Sequence, residues 1–296
     1  MSSEKPDFNL PFFTYGLFRP GEIAFLGIKD FVDNAQPMSI QGSLTLRDGM
    51  TLFKRGDQQN VKGYLLTFKA EYALKAYAYI DDLEPDKYYK WGRINQGGKR
   101  FNILLGIKPD RGSEDINELS SYEKPGDYSL WSDPYFNVAF RVLDGLQYTP
   151  NDETNSEMSI YETSFFMQMK YLFLWTVLER FTFLRYSFTH KINQRNKLLA
   201  RDKYFTEGIQ KYIKDKNRVV YSTQDPDDKN VLDLSNPEKC IKYYYQVRSN
   251  ITHRGKGVMK DKVTIEKSLG ELANITKYVI EKTKKECDEV KEQFTK

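Results

Sequence analysis

The sequence has little of the chemistry that builds disulfide frameworks and metal sites. Its 296 residues include two cysteines and two histidines. A structural zinc site needs about four Cys or His ligands at regular spacing, and a disulfide framework needs several paired cysteines. Cys240 and Cys287 instead lie in charged, helix-like sequence with no repeated spacing. We therefore expect no disulfide, no metal site and no cofactor.

Signals for export and for membrane insertion are also missing. Residues 1–10 carry no basic stretch followed by an apolar core, which a signal peptide requires. The most apolar segment, residues 171–184, is interrupted by Glu179 and Arg180. It is shorter than the roughly 20 residues that a bilayer-spanning helix needs. We expect a cytoplasmic protein without membrane contact, in which this segment is a buried core helix.

No strong charge of either sign is present. The chain has 45 basic and 41 acidic residues, so its formal net charge is +4. This balance does not by itself indicate a nucleic-acid-binding protein, and any basic surface has to be local. Hydrophobic residues make up 40% of the chain, enough for folded cores. At about 100–200 residues per domain, the length predicts two domains.

The first half is typical of strands and turns, with one short helix. Strands are predicted by β-prone or alternating runs at 12–15, 39–46, 61–68 and 101–107. The helix is predicted at 72–83, where Leu74, Tyr77 and Ile80 share one face. The polar segment 108–128 is expected to be a long loop.

The second half is typical of helices. From Ile160 onward apolar residues recur at alternating steps of four and three, which predicts a central bundle helix: Met167, Tyr171, Leu174, Leu178 and Phe181. Further helices are predicted near 202–214, after a cap at Ser235 or Asn236, and from Val263. From Lys282 on, we expect a solvated or frayed end. The polar segment 149–157 separates the halves, so the predicted domains are 1–150 and 156–296.

The most informative string is RSNITHRGKG at 248–257. Cleavage of RNA through its own 2′-hydroxyl needs a group that exchanges a proton near neutral pH, and histidine suits this best. The reaction also needs a fixed cation for the charge on the phosphate, which suits arginine. No metal is required. Arg248 and His253 are therefore candidate catalytic residues.

The same string resembles the Arg-x4-6-His motif of HEPN domains. The resemblance extends to Leu174-Trp175 and to Leu178-Glu179-Arg180, and it covers roughly 156–282. It implies an all-α helical bundle that forms homodimers and acts as a metal-independent endoribonuclease. It also implies that Arg248 holds the phosphate, that His253 transfers protons and that Asn250 orients backbone or substrate.

Basic residues surround the motif. Four basic residues form a cluster beside it: Arg254, Lys256, Lys260 and Lys262. Ser249 is a polar residue within the motif. Such a cluster can track an RNA backbone. A solvated helix end explains the same residues equally well, and both alternatives stay open. We expect Ser249, Arg254 and Lys256 to contact RNA.

The spacing of the motif raises two questions. Arg185 and His190 match it too, but bulky residues separate them and no glycine follows, so we expect an ordinary histidine there. In an ideal helix, five residues turn the chain by about 500°, so Arg248 and His253 lie roughly 140° apart. They converge if the helix loosens near Gly255 or if a second subunit completes the site. Otherwise, Arg248 and His253 are a capping or ion-binding pair at a helix end.

Three segments of the first half resemble the γ-glutamylcyclotransferase-like family. They are YGLFRPG at 15–21, VKGY at 61–64 and IDDLEP at 80–85. The resemblance covers most of 9–147 and implies a small mixed β-barrel with flanking helices and a cavity.

In that family a turn lends backbone amides to the substrate, which implies ligand-binding roles for Tyr15, Gly16, Leu17 and Phe18, although Leu17 replaces the usual Ser or Thr. Glu84 matches the glutamate that moves a proton during catalysis, and a carboxyl in an apolar cavity has a raised pKa that suits this role. The alternative is that Glu84 is a surface acid.

The expected fold class is therefore α+β, and three functions compete. The first is a toxin- or defence-type ribonuclease that binds RNA, is regulated by its first half and is silenced by an inhibitory partner. The second is a γ-glutamylamine cyclotransferase that uses its helical half to dimerise. The third is a non-catalytic protein that senses a small-molecule ligand. A His253→Ala variant separates the first from the others, and Glu84→Ala separates the second from the third.

Overall fold

The computed structural model describes eleven stretches of the chain, namely 5–47, 50–56, 59–84, 86–111, 114–115, 130–131, 133–145, 160–186, 191–225, 227–254 and 261–295. The fold is α+β, as predicted. The chain forms two compact units. The first contains Met1–Asn137, Leu184–His190 and Lys284–Lys296, and the second contains Val138–Phe183 and Lys191–Thr283. The predicted domain boundary at 149–157 lies outside the described residues and stays a prediction.

The strands of the first unit form two sheets. In chain order they are β1 (Phe12–Thr14), β2 (Val32–Gln41), β3 (Ser43–Arg47), β4 (Met50–Lys54), β5 (Asn60–Phe68), β6 (Tyr89–Gln96), β7 (Lys99–Gly106) and β8 (Glu114–Asp115). Five of them pair in the order β2-β5-β1-β7-β6, and three pair in the order β4-β3-β8. Only the β1–β7 pairing is parallel among these described strands. The predicted strands at 12–15, 61–68 and 101–107 are confirmed.

The predicted strand at 39–46 is divided between β2 and β3 at Gly42. Gly42 has a φ of 154°, and a Cβ atom there would lie 2.3 Å from the ring of Phe53. Glycine lets the chain leave the five-stranded sheet and enter the three-stranded one in a single residue. Two short 3-10 helical turns, Ile23–Gly27 and Lys29–Phe31, precede β2.

The strand β1 presents alternate side chains to two sides of its sheet. Phe13 belongs to an apolar cluster with Tyr15, Leu65 and Phe101. Phe12 faces the other side, where its ring lies 6.4 Å from that of Tyr77. Since neighbouring residues of a strand point to opposite faces, the short β1 contributes to both layers of the core.

Tyr77 lies on α1 (Ala73–Leu83), the helix predicted at 72–83. Its hydroxyl donates to the carbonyl of Leu10 at 2.6 Å and accepts from Nδ2 of Asn102 on β7 at 2.6 Å. These bonds satisfy a buried hydroxyl and hold α1 on the sheet. They also place the C-terminal end of α1, where Glu84 lies.

The remaining helices are α2 (Pro134–Gly145), α3 (Ile160–Tyr186), α4 (Ile192–Ala200), α5 (Lys203–Tyr212), α6 (Pro237–Arg254) and α7 (Lys262–Thr295). The cap expected at Ser235 or Asn236 is Asn236, which accepts from the amide of Lys239 at 3.2 Å, and Asp202 caps α5 by accepting from the amide of Tyr204 at 2.8 Å. The second unit is not all-α, which corrects the prediction. A hairpin of β9 (Val219–Tyr221) and β10 (Lys229–Val231) precedes α6.

The helix α3 is the predicted core helix. The five residues of its predicted stripe are all buried. Tyr171 donates its hydroxyl to the carbonyl of Tyr244 on α6 at 2.9 Å, and the rings of Trp175 and Tyr245 lie 5.6 Å apart. These contacts pack α3 against α6 and bring Glu179, one turn after Trp175, to the C-terminal half of α6.

The expectation of a solvated or frayed C-terminus is wrong. The helix α7 continues to Thr295, and Thr283, Cys287 and Val290 are buried along one side of it. The ring of Phe294 lies 5.2 Å from that of Phe25. Few apolar residues stand among many charges here, but their steps of three and four place them on one face. The many charged residues at the end of α7 therefore led to the wrong prediction, because they surround a narrow buried stripe.

Replacing Val290 tests this stripe. We expect Val290→Ala to lower the free energy of unfolding by about 1–3 kcal/mol, because it removes two buried methyl groups and leaves a cavity. The neighbouring Glu289 side chain is 61% exposed, so Glu289→Ala is the matched control and should change stability by less than about 0.5 kcal/mol. Urea unfolding followed by circular dichroism measures both. Equal effects would mean that the C-terminal turns of α7 are not packed.

Candidate functional sites

Arg248 lies on α6, one and a half turns before its last described residue. Its Nη2 atom lies 3.5 Å from Oε1 of Glu179, and its guanidinium lies 5.8 Å from the ring centroid of Tyr245. The Arg248 side chain is 29% exposed, and its Nε makes no hydrogen bond within the described part of the chain. The contact with Glu179 is therefore an ion pair with no strong hydrogen bond, and Arg248 keeps unused donor capacity.

Glu179 is a charged residue in an otherwise apolar stretch of α3. Its Oε1 atom is buried and accepts no hydrogen bond from the described residues. Burial raises the pKa of this carboxyl, and the positive charges of Arg248 and Arg195 partly offset the rise. Burial likewise lowers the pKa of Arg195, and Glu179 opposes that change. Two guanidinium groups act on one carboxylate, so the cluster keeps an excess positive charge that suits an anion.

Asn250 has a structural task in this arrangement. Its Nδ2 donates to the carbonyl of Tyr221 at 2.8 Å. Its Oδ1 accepts from the amide of Thr223 at 3.2 Å and from Nε2 of Gln246 at 2.8 Å. The side chain therefore holds the end of β9 against α6. This is consistent with a role in orienting the backbone beside Arg248.

The described residues include only part of the Arg/His motif. The backbone of α6 is helical through His253 to Arg254, but the side chains of these two residues and all of 255–260, including Lys256, lie outside the description. Ser249 is half-buried, and its carbonyl accepts from the hydroxyl of Thr252 at 3.0 Å. Because α6 stays helical, the Cα atoms of residues 248 and 253 lie roughly 140° apart around its axis. The convergence of their side chains stays a prediction, and His190 of the second motif copy also lies outside the description.

The turn after β1 is held by its own side chains. The hydroxyl of Tyr15 donates to the carbonyl of Leu104 at 2.9 Å and accepts from the amide of Phe53 at 3.3 Å. Phe18 is buried, Leu17 is half-buried, and the carbonyl of Gly16 accepts from the amide of Arg19 at 3.2 Å. The hydrogen bond between Gly16 and Arg19 fixes the course of the turn.

The hydroxyl of Tyr15 therefore makes its hydrogen bonds within the fold. The backbone amides of this turn would have to make any hydrogen bond to a ligand. The amides of Gly16, Leu17 and Phe18 donate no hydrogen bond within the described ranges. An amide without a partner is a donor that a ligand oxygen can use.

Glu84 ends α1, where its amide bonds to the carbonyl of Ile80 at 3.0 Å. The residue is half-buried, but its Oε2 atom is buried and has no hydrogen-bond partner among the described residues. Burial raises the pKa of this carboxyl to about 8. Asp81 and Asp82 of the same string are exposed, so the alternative of a surface acid fits them and not Glu84. No hydrogen bond joins Glu84 to the turn at 15–18 within the described part of the chain.

No group of three or more His, Cys, Asp or Glu side chains that could hold a metal ion occurs in the described stretches. No helix in those stretches is long and apolar enough to cross a bilayer. Comparison of this chain with family models, curated proteins and solved structures found no match. The two family resemblances therefore depend on the motifs alone.

Two members of the Arg248 cluster were not among the candidate residues chosen from the sequence. Glu179 carried a usable signal, because a charge inside an apolar helical stripe needs a partner when the helix is buried. Arg195 carried no such signal, since it lies in the polar helix α4, where arginine is common. Its place beside Glu179 follows from tertiary packing.

The burial of Glu84 predicts how stability depends on pH. A carboxyl whose pKa rises from 4.5 to about 8 on folding favours the native state fully below pH 4.5, and this contribution is lost as the pH rises through 8. Glu84→Gln keeps the shape and stays neutral. We expect the Tm of the wild type to fall relative to that of Glu84→Gln between pH 5 and pH 8.5. The exposed Glu71 gives the control variant Glu71→Gln, and parallel curves for the wild type and Glu84→Gln would contradict the burial.

Proposed function

We propose that the second unit is a metal-independent endoribonuclease that acts with Arg248 and His253. The observation that carries the proposal is the state of Arg248, a partly exposed guanidinium whose contact with Glu179 leaves donor capacity unused. A phosphate accepts two parallel hydrogen bonds from a guanidinium, which is a better partner than a carboxylate at 3.5 Å. The excess positive charge of Arg248 and Arg195 over Glu179 favours the same ligand.

The chemistry follows from the roles of the two side chains. The 2′-oxygen of the ribose attacks the adjacent phosphorus, the bond from phosphorus to the 5′-oxygen breaks, and a 2′,3′-cyclic phosphate and a free 5′-hydroxyl result. His253 takes the proton from the 2′-hydroxyl or gives one to the leaving oxygen. Arg248 stabilises the charge that collects on the phosphoryl oxygens. Arg254, Lys256 and Ser249 provide backbone contacts to RNA.

A homodimer can bring an arginine and a histidine together in one site. Residues 248 and 253 lie on different sides of α6, because five residues turn a helix by about 500°. Two chains that meet near the C-terminal end of α6 can combine the Arg248 of one with the His253 of the other. We extend the proposal to membership of the HEPN family, to a cytoplasmic toxin- or defence-type role, and to an inhibitory partner.

RNA cleavage tests this proposal. Purified protein is incubated with total cellular RNA and EDTA, beside Arg248→Ala and His253→Ala, and the fragment ends are identified. We expect cleavage that survives EDTA, leaves 2′,3′-cyclic phosphates and falls at least about 100-fold in both variants. The matched control is His190→Ala, which changes the histidine of the second motif copy and should cleave like the wild type. Cleavage that both variants retain would refute the site.

A second candidate function is favoured by Glu84. A buried carboxyl without a partner and with a pKa near 8 holds a proton at neutral pH and exchanges it easily. In a γ-glutamylamine cyclotransferase the substrate α-amine attacks the γ-carbonyl, the amide bond breaks, and a cyclic lactam and a free amine leave. Glu84 would carry the proton from the attacking nitrogen to the departing one, and the free amides at 16–18 would bind substrate oxygens. This reading includes a closed β-barrel with a ligand cavity.

The pH dependence of turnover tests the second candidate. A γ-glutamyl amine substrate is supplied at several pH values to the wild type, Glu84→Gln and Glu71→Gln. If the Glu84 carboxylate is the base, kcat/KM of the wild type rises with pH and levels off above about 8, because the ionised fraction increases through that pKa. We expect Glu84→Gln to lose at least about 100-fold at every pH, and the exposed control to match the wild type. Absence of turnover by the wild type would leave Glu84 as part of a ligand-sensing site.

A further inference from the structure

A pocket of about 510 Å³ lies between α4 and the N-terminal half of α6 in the second unit. Its volume is within the range of roughly 300–1,000 Å³ that is usual for small-molecule sites. The wall residues that matter here are Asn196 and Lys197 on α4 and Lys242 and Tyr245 on α6. None of the three functions considered above assigns a role to this pocket.

Asn196 supplies an amide to the wall of the pocket. Asn196 is 7% exposed, yet its side chain makes no hydrogen bond within the ranges that the structure describes. Its amide atoms are not among the fully buried polar atoms that lack a partner, so they stay accessible to a ligand in the pocket. The amide offers one acceptor and two donors to a ligand, which is the pattern that reads the edge of a nucleobase.

The charges of the wall favour an anion. Lys197 and Lys242 are exposed and make no ion pair with any described residue. Lys239, a third lysine of the wall, is held by Asp233 at 3.0 Å. Glu238 is the one acidic residue among those that line the pocket, and it lies 3.8 Å from Arg201. Two lysines thus remain available for a phosphate.

Tyr245 joins the pocket to the proposed cleavage site. Its half-buried ring lines the pocket, and the guanidinium of Arg248 lies 5.8 Å from the centroid of that ring. The edge-to-face contact with Trp175 fixes the orientation of the ring. An aromatic ring of this kind provides a surface for base stacking. A ligand in this pocket therefore lies one side chain away from a phosphate held by Arg248.

We propose that this pocket binds one nucleotide of single-stranded RNA, next to the phosphate that Arg248 holds. The base stacks on Tyr245 and pairs with the amide of Asn196, and its phosphate lies between Lys197 and Lys242. The inference rests on the proposed ribonuclease function for its orientation along the RNA. It adds a preference for one base beside the cleaved bond, since an amide distinguishes bases by their donors and acceptors.

Binding of mononucleotides tests the pocket separately from cleavage. His253→Ala protein, which cannot cleave under the proposed mechanism, is titrated with AMP, GMP, CMP and UMP by calorimetry, and with inorganic phosphate. We expect saturable binding that prefers one base and is at least tenfold tighter than that of phosphate. Adding Lys197→Ala and Lys242→Ala together should weaken it about tenfold or more. Tyr245→Ala should weaken it too, and Tyr245→Phe, which keeps the ring, should restore it.

The matched control is Lys214→Ala, which removes an exposed lysine of the same unit outside the pocket and should leave binding unchanged. Three outcomes would overturn the inference. They are no binding at millimolar nucleotide, equal binding of phosphate and nucleotides, and equal losses of binding in the lysine variants and the control. The two proposals fail separately. Wild-type cleavage without nucleotide binding refutes the pocket alone, and binding without cleavage refutes the ribonuclease alone.

Discussion

A chain of buried polar groups holds the second unit together, and the geometry around Arg248 depends on it. Tyr171 on α3 donates to the carbonyl of Tyr244 on α6, and the hydroxyl of Tyr244 donates to Glu271 on α7 at 2.8 Å. Arg218, just before β9, forms an ion pair with the same carboxylate. Burial raises the pKa of Tyr244, so its hydroxyl stays a donor. Tyr171 and Tyr244 are buried and each hydroxyl needs its partner, which leaves the helices few alternative arrangements.

This arrangement explains why Glu179 and Arg248 meet. Once Tyr171 and Trp175 have set α3 against α6, the next turn of α3 has to lie beside the last turns of α6. Asn250 then ties the hairpin to the same helix through the carbonyl of Tyr221. The charged pair lies where the apolar and polar contacts of the core place it, so a rigid scaffold sets its geometry.

The sequence predicted best those elements whose signals are local. The apolar stripe of α3, the cap at Asn236 and the strand at 61–68 depend on neighbouring residues, and all are present. The helix α4 was missed because its nine residues are mostly polar, and the hairpin was missed because Val219 and Tyr221 are exposed and its strands have three residues each. Both elements are stabilised by contacts with α6 that no local pattern reveals.

The same distinction applies to the candidate sites. Motif residues such as Arg248 and Glu84 could be chosen from the sequence because residue type and spacing suggest their chemistry. The partners that determine their behaviour, Glu179 and the buried surroundings of Glu84, are distant in the chain or are defined by burial. The pocket beside Tyr245 had no sequence signal at all, since its wall consists of amides and lysines that are ordinary on helix surfaces.

The buried stripe at the end of α7 has a consequence for how this protein can be divided. The first compact unit includes Lys284–Lys296 as well as Met1–Asn137, so the two units are not consecutive pieces of the chain. A fragment that stops near residue 150 lacks the segment whose Phe294 covers Phe25. A division of the chain near residue 150 therefore does not follow the two compact units, and residues 284–295 have to be synthesised before the N-terminal unit can complete its core.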